Sequence, residues 1–381
     1  MKRGTYHSIE EMGAFTVDNQ LQAEFDTAAI AHTLLLGLDY QHVDSDVRIG
    51  YGTAPTVDVF DPVYKLTIVP PTLTQDIDQT RDQIGIYVQD QLKWDRLVVS
   101  LGGRYDWASS ETTTRSLTSS APASTVKQDD GAFTGRIGAI YLFDNGIAPY
   151  ASYSTSFEPL AGVTIEGNPF EPTTAEQFEI GVRYQPPGSE SLVSLAAFDI
   201  TQENLRTAVT DLPGQYRQLG EVRSRGFEAE AKLNLSAGFN VIGSYTYQDV
   251  ETVKDTPSTA GGTSLEGKVP YNVPRQMGSI WLDYEVQTGP LEGLGLGVGV
   301  RYVGSSWADS TNTTKVPSYT LVDLGLRYDF GKKSPDLDGL HLDLNLKNLF
   351  DEEYVSGCAG RLTSCYWGNG RTALATLTYR W

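Results

Sequence analysis

Residues 83–107, QIGIYVQDQLKWDRLVVSLGGRYDW, decide the fold. In the first half the even positions Ile84, Ile86, Val88, Leu92 and Trp94 are apolar, with Asp90 the one exception. The odd positions are Gln83, Gly85, Tyr87, Gln89, Gln91 and Lys93. Past Asp95 and Arg96 the parity changes, and Leu97, Val99, Leu101, Gly103, Tyr105 and Trp107 face away from Ser100, Gly102, Arg104 and Asp106. A period of two belongs to a strand with one apolar face, and no helical period of 3.6 fits.

The same sorting recurs along the chain. Phe178, Ile180, Val182 and Tyr184 alternate with Gln177, Glu179, Gly181 and Arg183, and Phe227, Ala229, Ala231 and Leu233 with Gly226, Glu228, Glu230 and Lys232. Such runs predict about fifteen strands, from one near 14–26 and one near 31–46 to a last near 370–381. Many are longer than the five or six residues usual in soluble sheets. Connections alternate in length: short turns such as Asp144-Asn145-Gly146 and Pro186-Pro187-Gly188 separate long loops at 47–80, 112–129, 158–173, 204–216, 253–272, 306–316 and 351–369. In an antiparallel array every long loop then falls on one rim, the asymmetry of a transmembrane β-barrel.

Aromatic residues supply an independent signal. Strands running toward the short turns end with outward Trp94, Tyr141, Phe143, Tyr184, Tyr284, Tyr328, Phe330, Tyr379 and Trp381. Rings at one height suit the boundary between lipid tails and water, so these residues are expected to form the periplasmic girdle. A soluble propeller or sandwich also alternates, but needs neither long strands nor one-sided loops, and no blade-length repeat occurs.

Composition agrees. The 381 residues include 38 Gly, 21 Tyr, 13 Phe and 6 Trp but only 3 Met and 2 Cys, a mixture that favours strands and turns. Lys plus Arg is 29 against 48 Asp plus Glu, a formal charge of −19, which repels phosphate backbones and argues against a nucleic-acid partner. No apolar run is long enough for a membrane helix, and MKRGTYHSIEEMGAF lacks the apolar core of a secretory signal.

Constellations for covalent chemistry are weak, and the chain is not expected to be an enzyme. The ladder Gly293, Gly295, Gly297, Gly299 has a spacing of two within a strand, unlike a dinucleotide loop, and is expected to leave lumen space for something large. Ser124 and Lys127 match Ser-x-x-Lys without its supporting motifs. The four histidines, His7, His32, His42 and His341, show no metal-ligand spacing. Asp44/Asp46 and Asp76/Asp78 read either as solvated loop acids or as weak calcium ligands. Cys358 and Cys365, seven apart in the last long loop of an exported chain, read as a disulfide. The long loops carry Tyr51, Phe60, Tyr64, Phe157, Phe170, Tyr216, Trp307, Tyr366 and Trp367. Aromatic faces at a pore mouth suit a bulky, partly apolar ligand, and self-packing within the loops is the alternative.

Several segments are similar to TonB-dependent ferric-siderophore receptors: YASYSTSFEP from Tyr150, EPTTAEQFEIGVRYQPP from Glu171, GEVRSRGFEAEAK from Gly220, GKVPYNVPRQMGSIWLDY from Gly267, NLFDEEYVSGC from Asn348 and the ending CYWGNGRTALATLTYRW. The chain resembles most the hydroxamate branch, which takes ferrichrome and ferrioxamine and whose last extracellular loop carries a cysteine pair. The resemblance implies an all-β, 22-stranded outer-membrane barrel around an N-terminal plug, driven through the TonB-ExbB-ExbD system. The ferric siderophore would be cargo, with no covalently bound cofactor, and the surroundings outer-membrane lipid and lipopolysaccharide. It also implies that Tyr366 and Trp367, beside the disulfide, face the ligand, while Ala359 stands where relatives often have an aromatic. With about fifteen strands and neither plug nor TonB box in view, residues 1–381 are expected to be the C-terminal portion of such a barrel. A passive porin is the alternative from another class.

Overall fold

The structure is a computed structural model, and it describes residues 3–58, 60–63, 65–208, 216–235, 238–255, 263–358 and 365–381. Fifteen strands form one antiparallel sheet. In chain order they are β1 (Arg3–Thr27), β2 (Ile30–Ala54), β3 (Gln75–Trp94), β4 (Leu97–Ser116), β5 (Ser124–Tyr141), β6 (Ile147–Glu158), β7 (Thr173–Tyr184), β8 (Leu192–Ala208), β9 (Tyr216–Asn234), β10 (Phe239–Lys254), β11 (Gln276–Glu285), β12 (Leu294–Val303), β15 (Tyr319–Asp329), β16 (Leu340–Lys347) and β19 (Thr372–Tyr379). Each pairs with its neighbours in that order, with β1 and β19 at the two edges. Two small hairpins lie in the connections: β13 (Ser306–Trp307) with β14 (Lys315–Val316), and β17 (Val355–Cys358) with β18 (Cys365–Trp367). Among the described residues no helix is long and apolar enough to cross a membrane, which says nothing about strands.

The expected strands are all present, but the first ones are longer than expected. β1 and β2 pair without a break from Arg3↔Ala54 to Thr27↔Ile30. The loop expected at 47–80 therefore shrinks to 55–74, and the one at 112–129 to 117–123. Asp44, Asp46, Asp76 and Asp78 accordingly sit on strands, with Asp46 directly opposite Asp78 and Arg115 contacting both Asp76 and Asp78. This corrects the loop assignment of Asp76 and Asp78, whereas Asp44 and Asp46 lie within the strand expected near 31–46. In the extended β1–β2 hairpin the positions in phase with Leu36 and Leu38 become Asp44, Asp46 and Arg48, while Val47, Ile49 and Tyr51 fall on the opposite face, so the lipid-side pattern stops while the hydrogen-bond ladder continues.

The sheet has an apolar and a polar face. On the apolar face Leu36, Leu38, Ile84, Ile86, Leu101, Ile137, Ile180, Leu195, Leu282, Leu296 and Leu344 are exposed, which in water would be an untenable surface. In a bilayer it is the side that meets lipid. The polar face holds cross-strand ion pairs. Arg104 reaches Asp39 at 2.5 and 2.9 Å and Asp106 at 2.5 and 2.7 Å, while Tyr87 donates to Asp18 at 2.9 Å. Glycines make room for these long side chains: a Cβ on Gly85 would lie 1.9 Å from the Arg104 guanidinium, and one on Gly37 2.0 Å from the Tyr87 ring.

The glycine ladder of β12 follows the same rule. Trp281 of β11 lies across Gly297 and Gly299, where a Cβ would meet the indole at 2.2 and 2.4 Å, and Arg327 lies over Gly295. Arg327 is fixed by a two-pronged pair with Asp283 at 2.6 and 2.8 Å. The ladder thus does not leave an empty groove; the space is filled by Trp281 and Arg327.

At the short-turn rim, Trp94 pairs in register with Leu97, and Leu97 with Tyr141. Rings there come in couples: Tyr141 with Phe143 at 4.7 Å, Tyr328 with Phe330 at 4.9 Å, Tyr379 with Trp381 at 6.2 Å, and Tyr284 with Phe239 at 4.4 Å. Trp94, Tyr141, Phe143, Tyr184, Tyr379 and Trp381 are exposed, and Tyr284, Tyr328 and Phe330 are half-buried.

Candidate functional site

Because the strands alternate in direction, the connections 55–74, 159–172, 255–275, 304–318 and 348–371 all lie on one rim. Side-chain amides, rather than a large core, bind them together. Asn312, with φ 60°, accepts from the Val269 N–H at 2.9 Å and donates to the Val269 carbonyl at 2.7 Å. Gln218 of β9 does the same for Glu171 at 2.8 and 2.6 Å, and Gln128 of β5 donates to the Phe170 carbonyl at 2.7 Å, so the loop 159–172 is pinned from two strands. Asn348 accepts from Glu352 N–H and donates to the carbonyls of Glu352 and Asn369. An amide can satisfy a backbone donor and acceptor at once, which is why it suits loops without strand partners.

Two buried carboxylates strengthen the rim. Asp255 pairs with Arg217 at 3.1 Å and accepts from Leu265 N–H at 2.6 Å, beside a small core of Leu219, Val222 and Leu265. Asp309 accepts from the Thr311 and Thr313 hydroxyls and from the Thr313 and Thr314 N–H groups. Burial alone would raise its pKa, but those donors outweigh burial and hold Asp309 below the ordinary carboxylate value.

The sequence-proposed aromatics do not all meet at this rim. Cys358 and Cys365 are bonded, closing the β17–β18 hairpin, and Tyr366 and Trp367 beside them are 62% and 72% exposed. Tyr51 is 63% exposed on the polar face of the extended β1–β2 hairpin, its ring 5.2 Å from that of Tyr6. Of the others, Phe170 and Phe157 need correction. Phe170 is only 3% exposed, because loop 159–172 folds its ring inward. Arg206 stacks on the Tyr216 ring at 4.4 Å, so that face is taken. Trp307 carries the Lys315 ammonium 5.0 Å above its ring. Phe157 continues the parity of Tyr153, whose ring packs on Phe178, and so lies on the apolar face. Tyr64 and Ala359 lie outside the described residues. Sequence reading missed Asn312, Asn348, Gln218 and Trp281, since a lone amide or indole carries no motif. Among the described residues no group of three or more His, Cys, Asp or Glu side chains is arranged to hold a metal.

An antiparallel sheet of long strands, apolar outside and polar inside, with its elaborate loops on one rim, defines a membrane barrel wall of the outer-membrane type. A family model described as "TonB dependent receptor-like, beta-barrel" matches residues 3–349, and the chain belongs to that family. It is 42% identical over 381 residues to the "Ferrichrome outer membrane transporter/phage receptor" of Escherichia coli K12, covering 97% of this chain and 49% of that protein. It is 40% identical to the "Ferrioxamine B receptor" of Salmonella typhimurium, covering 100% of this chain and 52% of that one. The solved siderophore receptor PiuA from Acinetobacter baumannii superposes with a TM-score of 0.80 at 25% identity, over 98% of this chain and 56% of that structure. These proteins are receptors and transporters rather than enzymes. The chain spans about half the length of the curated relatives it matches.

Proposed function

We propose that the chain forms the wall and part of the ligand-gripping rim of an outer-membrane receptor for ferric siderophores, with hydroxamate complexes as its substrate class. One observation carries this reading: a disulfide-closed hairpin presents two adjacent exposed aromatics, Tyr366 and Trp367, on the rim that bears the long loops. The 42% and 40% identity to a ferrichrome transporter and a ferrioxamine B receptor supports that ligand class. A siderophore wraps ferric iron in an organic shell, so the protein meets ring faces and carbonyl oxygens rather than the metal. Broad rings lose little entropy when they cover such a shell. Tyr51, exposed on the polar face, is a second contact.

In this reading the wall performs no covalent chemistry. The apolar face is held in outer-membrane lipid and lipopolysaccharide, and the ring couples at the short-turn rim are its periplasmic girdle. Transport against a gradient needs energy from outside the barrel, for which the TonB-ExbB-ExbD system is the partner implied by the family. Residues 1–381 are the C-terminal part of the barrel domain on this account, aligning with about half of each relative.

The test is equilibrium binding of iron-labelled ferrichrome and ferrioxamine B to outer membranes from cells expressing the protein from its own locus. Saturable binding of either complex, weakened about tenfold or more by Tyr366→Ala with Trp367→Ala, is expected. No saturable binding of either complex, together with passive efflux of small solutes from loaded vesicles, would favour a diffusion channel instead.

A further inference from the structure

The hairpin that presents Tyr366 and Trp367 stands on two feet, and one of them belongs to another loop. At the first foot Gly368 lies against the Tyr354 ring, where a Cβ would sit 2.0 Å from the ring, and Gly368 N–H donates to the Tyr354 carbonyl at 2.8 Å. Tyr354 in turn packs on Tyr319 of β15 at 4.2 Å. At the second foot Asn272, from the connection 255–275, donates through Nδ2 to the Cys358 carbonyl at 2.5 Å and accepts at Oδ1 from Cys358 N–H at 2.8 Å. Its own N–H donates to the Trp307 carbonyl at 2.9 Å. Gly357 leaves the space for this approach, since a Cβ there would lie 3.2 Å from Asn272 Oδ1.

Asn272 therefore acts as a one-residue strand partner for Cys358, which is 1% exposed and packed on Ala308 and Val316. Asparagine alone combines both halves of an amide with tolerance of the left-handed backbone, and Asn272 has φ 60°. We infer that Asn272 is the positioning residue of the aromatic hairpin: it touches no ligand, but sets the height and angle at which Tyr366 and Trp367 meet one. The inference rests on the ligand-gripping role proposed above.

The experiment is a double-mutant cycle on the protein expressed from its own locus, read as iron-labelled ferrichrome and ferrioxamine B binding to outer membranes. Asn272→Gly keeps the left-handed backbone and removes the amide, and Asn272→Asp keeps the acceptor but loses the donor. Barrel assembly is followed separately by heat-modifiable mobility, and only assembled protein is counted as binding sites. Asn272→Gly is expected to weaken Kd about tenfold with normal assembly, Asn272→Asp less, and Asn272→Gly in a background of Tyr366→Ala with Trp367→Ala no further than that pair alone. Effects of the two substitutions that multiply, or an unchanged Kd in Asn272→Gly, would overturn the positioning role. An unchanged Kd in Tyr366→Ala with Trp367→Ala would instead overturn the reading on which it rests.

Discussion

A single glycine or amide in this molecule matters for what lies against it. Gly85, Gly297 and Gly299 are in ordinary extended strand, yet a methyl group at any of them would overlap Arg104 or Trp281. We predict that Gly297→Val lowers thermal stability by roughly 2 kcal/mol or more, because Trp281 must leave its rotamer, whereas Gly297→Val with Trp281→Ala recovers most of the loss. A melting series of the two variants checks this, and independent effects would refute it. Asp309 carries a pH prediction. Its folded pKa is depressed, so its contribution to rim stability is complete above the ordinary carboxylate value and is lost as pH falls through the lowered value. Protease susceptibility of residues 304–318 should rise on acidification through that window, and Asp309→Asn should be susceptible already at neutral pH. Neither Trp281 nor Asp309 could be singled out from sequence, because burial in a barrel depends on neighbours far along the chain.

Strands were legible where water and lipid force opposite faces apart. The runs from Ile84 to Trp94 and from Leu97 to Trp107 appear in the structure almost as read, since period two is visible only when one face is apolar. The extensions to Arg3 and Ala54 were not, because the positions in phase with Leu36 and Leu38 turn to Asp44, Asp46 and Arg48 while Val47, Ile49 and Tyr51 fall on the other face. Among site residues, Tyr366 and Trp367 were legible beside a cysteine pair in a long loop. Phe157 was not, since its face follows from the unbroken register of β6 with β7, and Phe170 was not, since loop packing has no period. At this scale the disulfide gives a prediction. Closing an eight-residue loop constrains the unfolded hairpin by roughly 2 to 3 kcal/mol, so Cys358→Ser with Cys365→Ser should leave barrel assembly intact but expose 355–367 to protease. Intact mass should also find the unreduced protein two hydrogens lighter than the reduced one. The last strand gives another. Tyr379 and Trp381 end its apolar face at the girdle height, and deletion of Trp381 should cut heat-modifiable protein in outer membranes several-fold; normal levels would count against the girdle.

For the whole molecule, two asymmetries carry the account: apolar against polar across the sheet, and long against short from rim to rim. The first places the wall in a membrane, and the second gives it one elaborate surface on which a ligand can be gripped. The net charge of −19 and the many cross-strand ion pairs of the polar face fit a water-lined interior, not an apolar core. The measurement that bears most directly on the central claim is growth of a strain deleted for this gene, under iron limitation, with ferrichrome or ferrioxamine B as the sole iron source. The deletion should abolish growth on at least one of them, and restoring the gene should recover it, while Tyr366→Ala with Trp367→Ala should recover it only at higher siderophore concentration. Growth of the deletion strain equal to its parent on both complexes, in cells with no second receptor for either, would contradict the account.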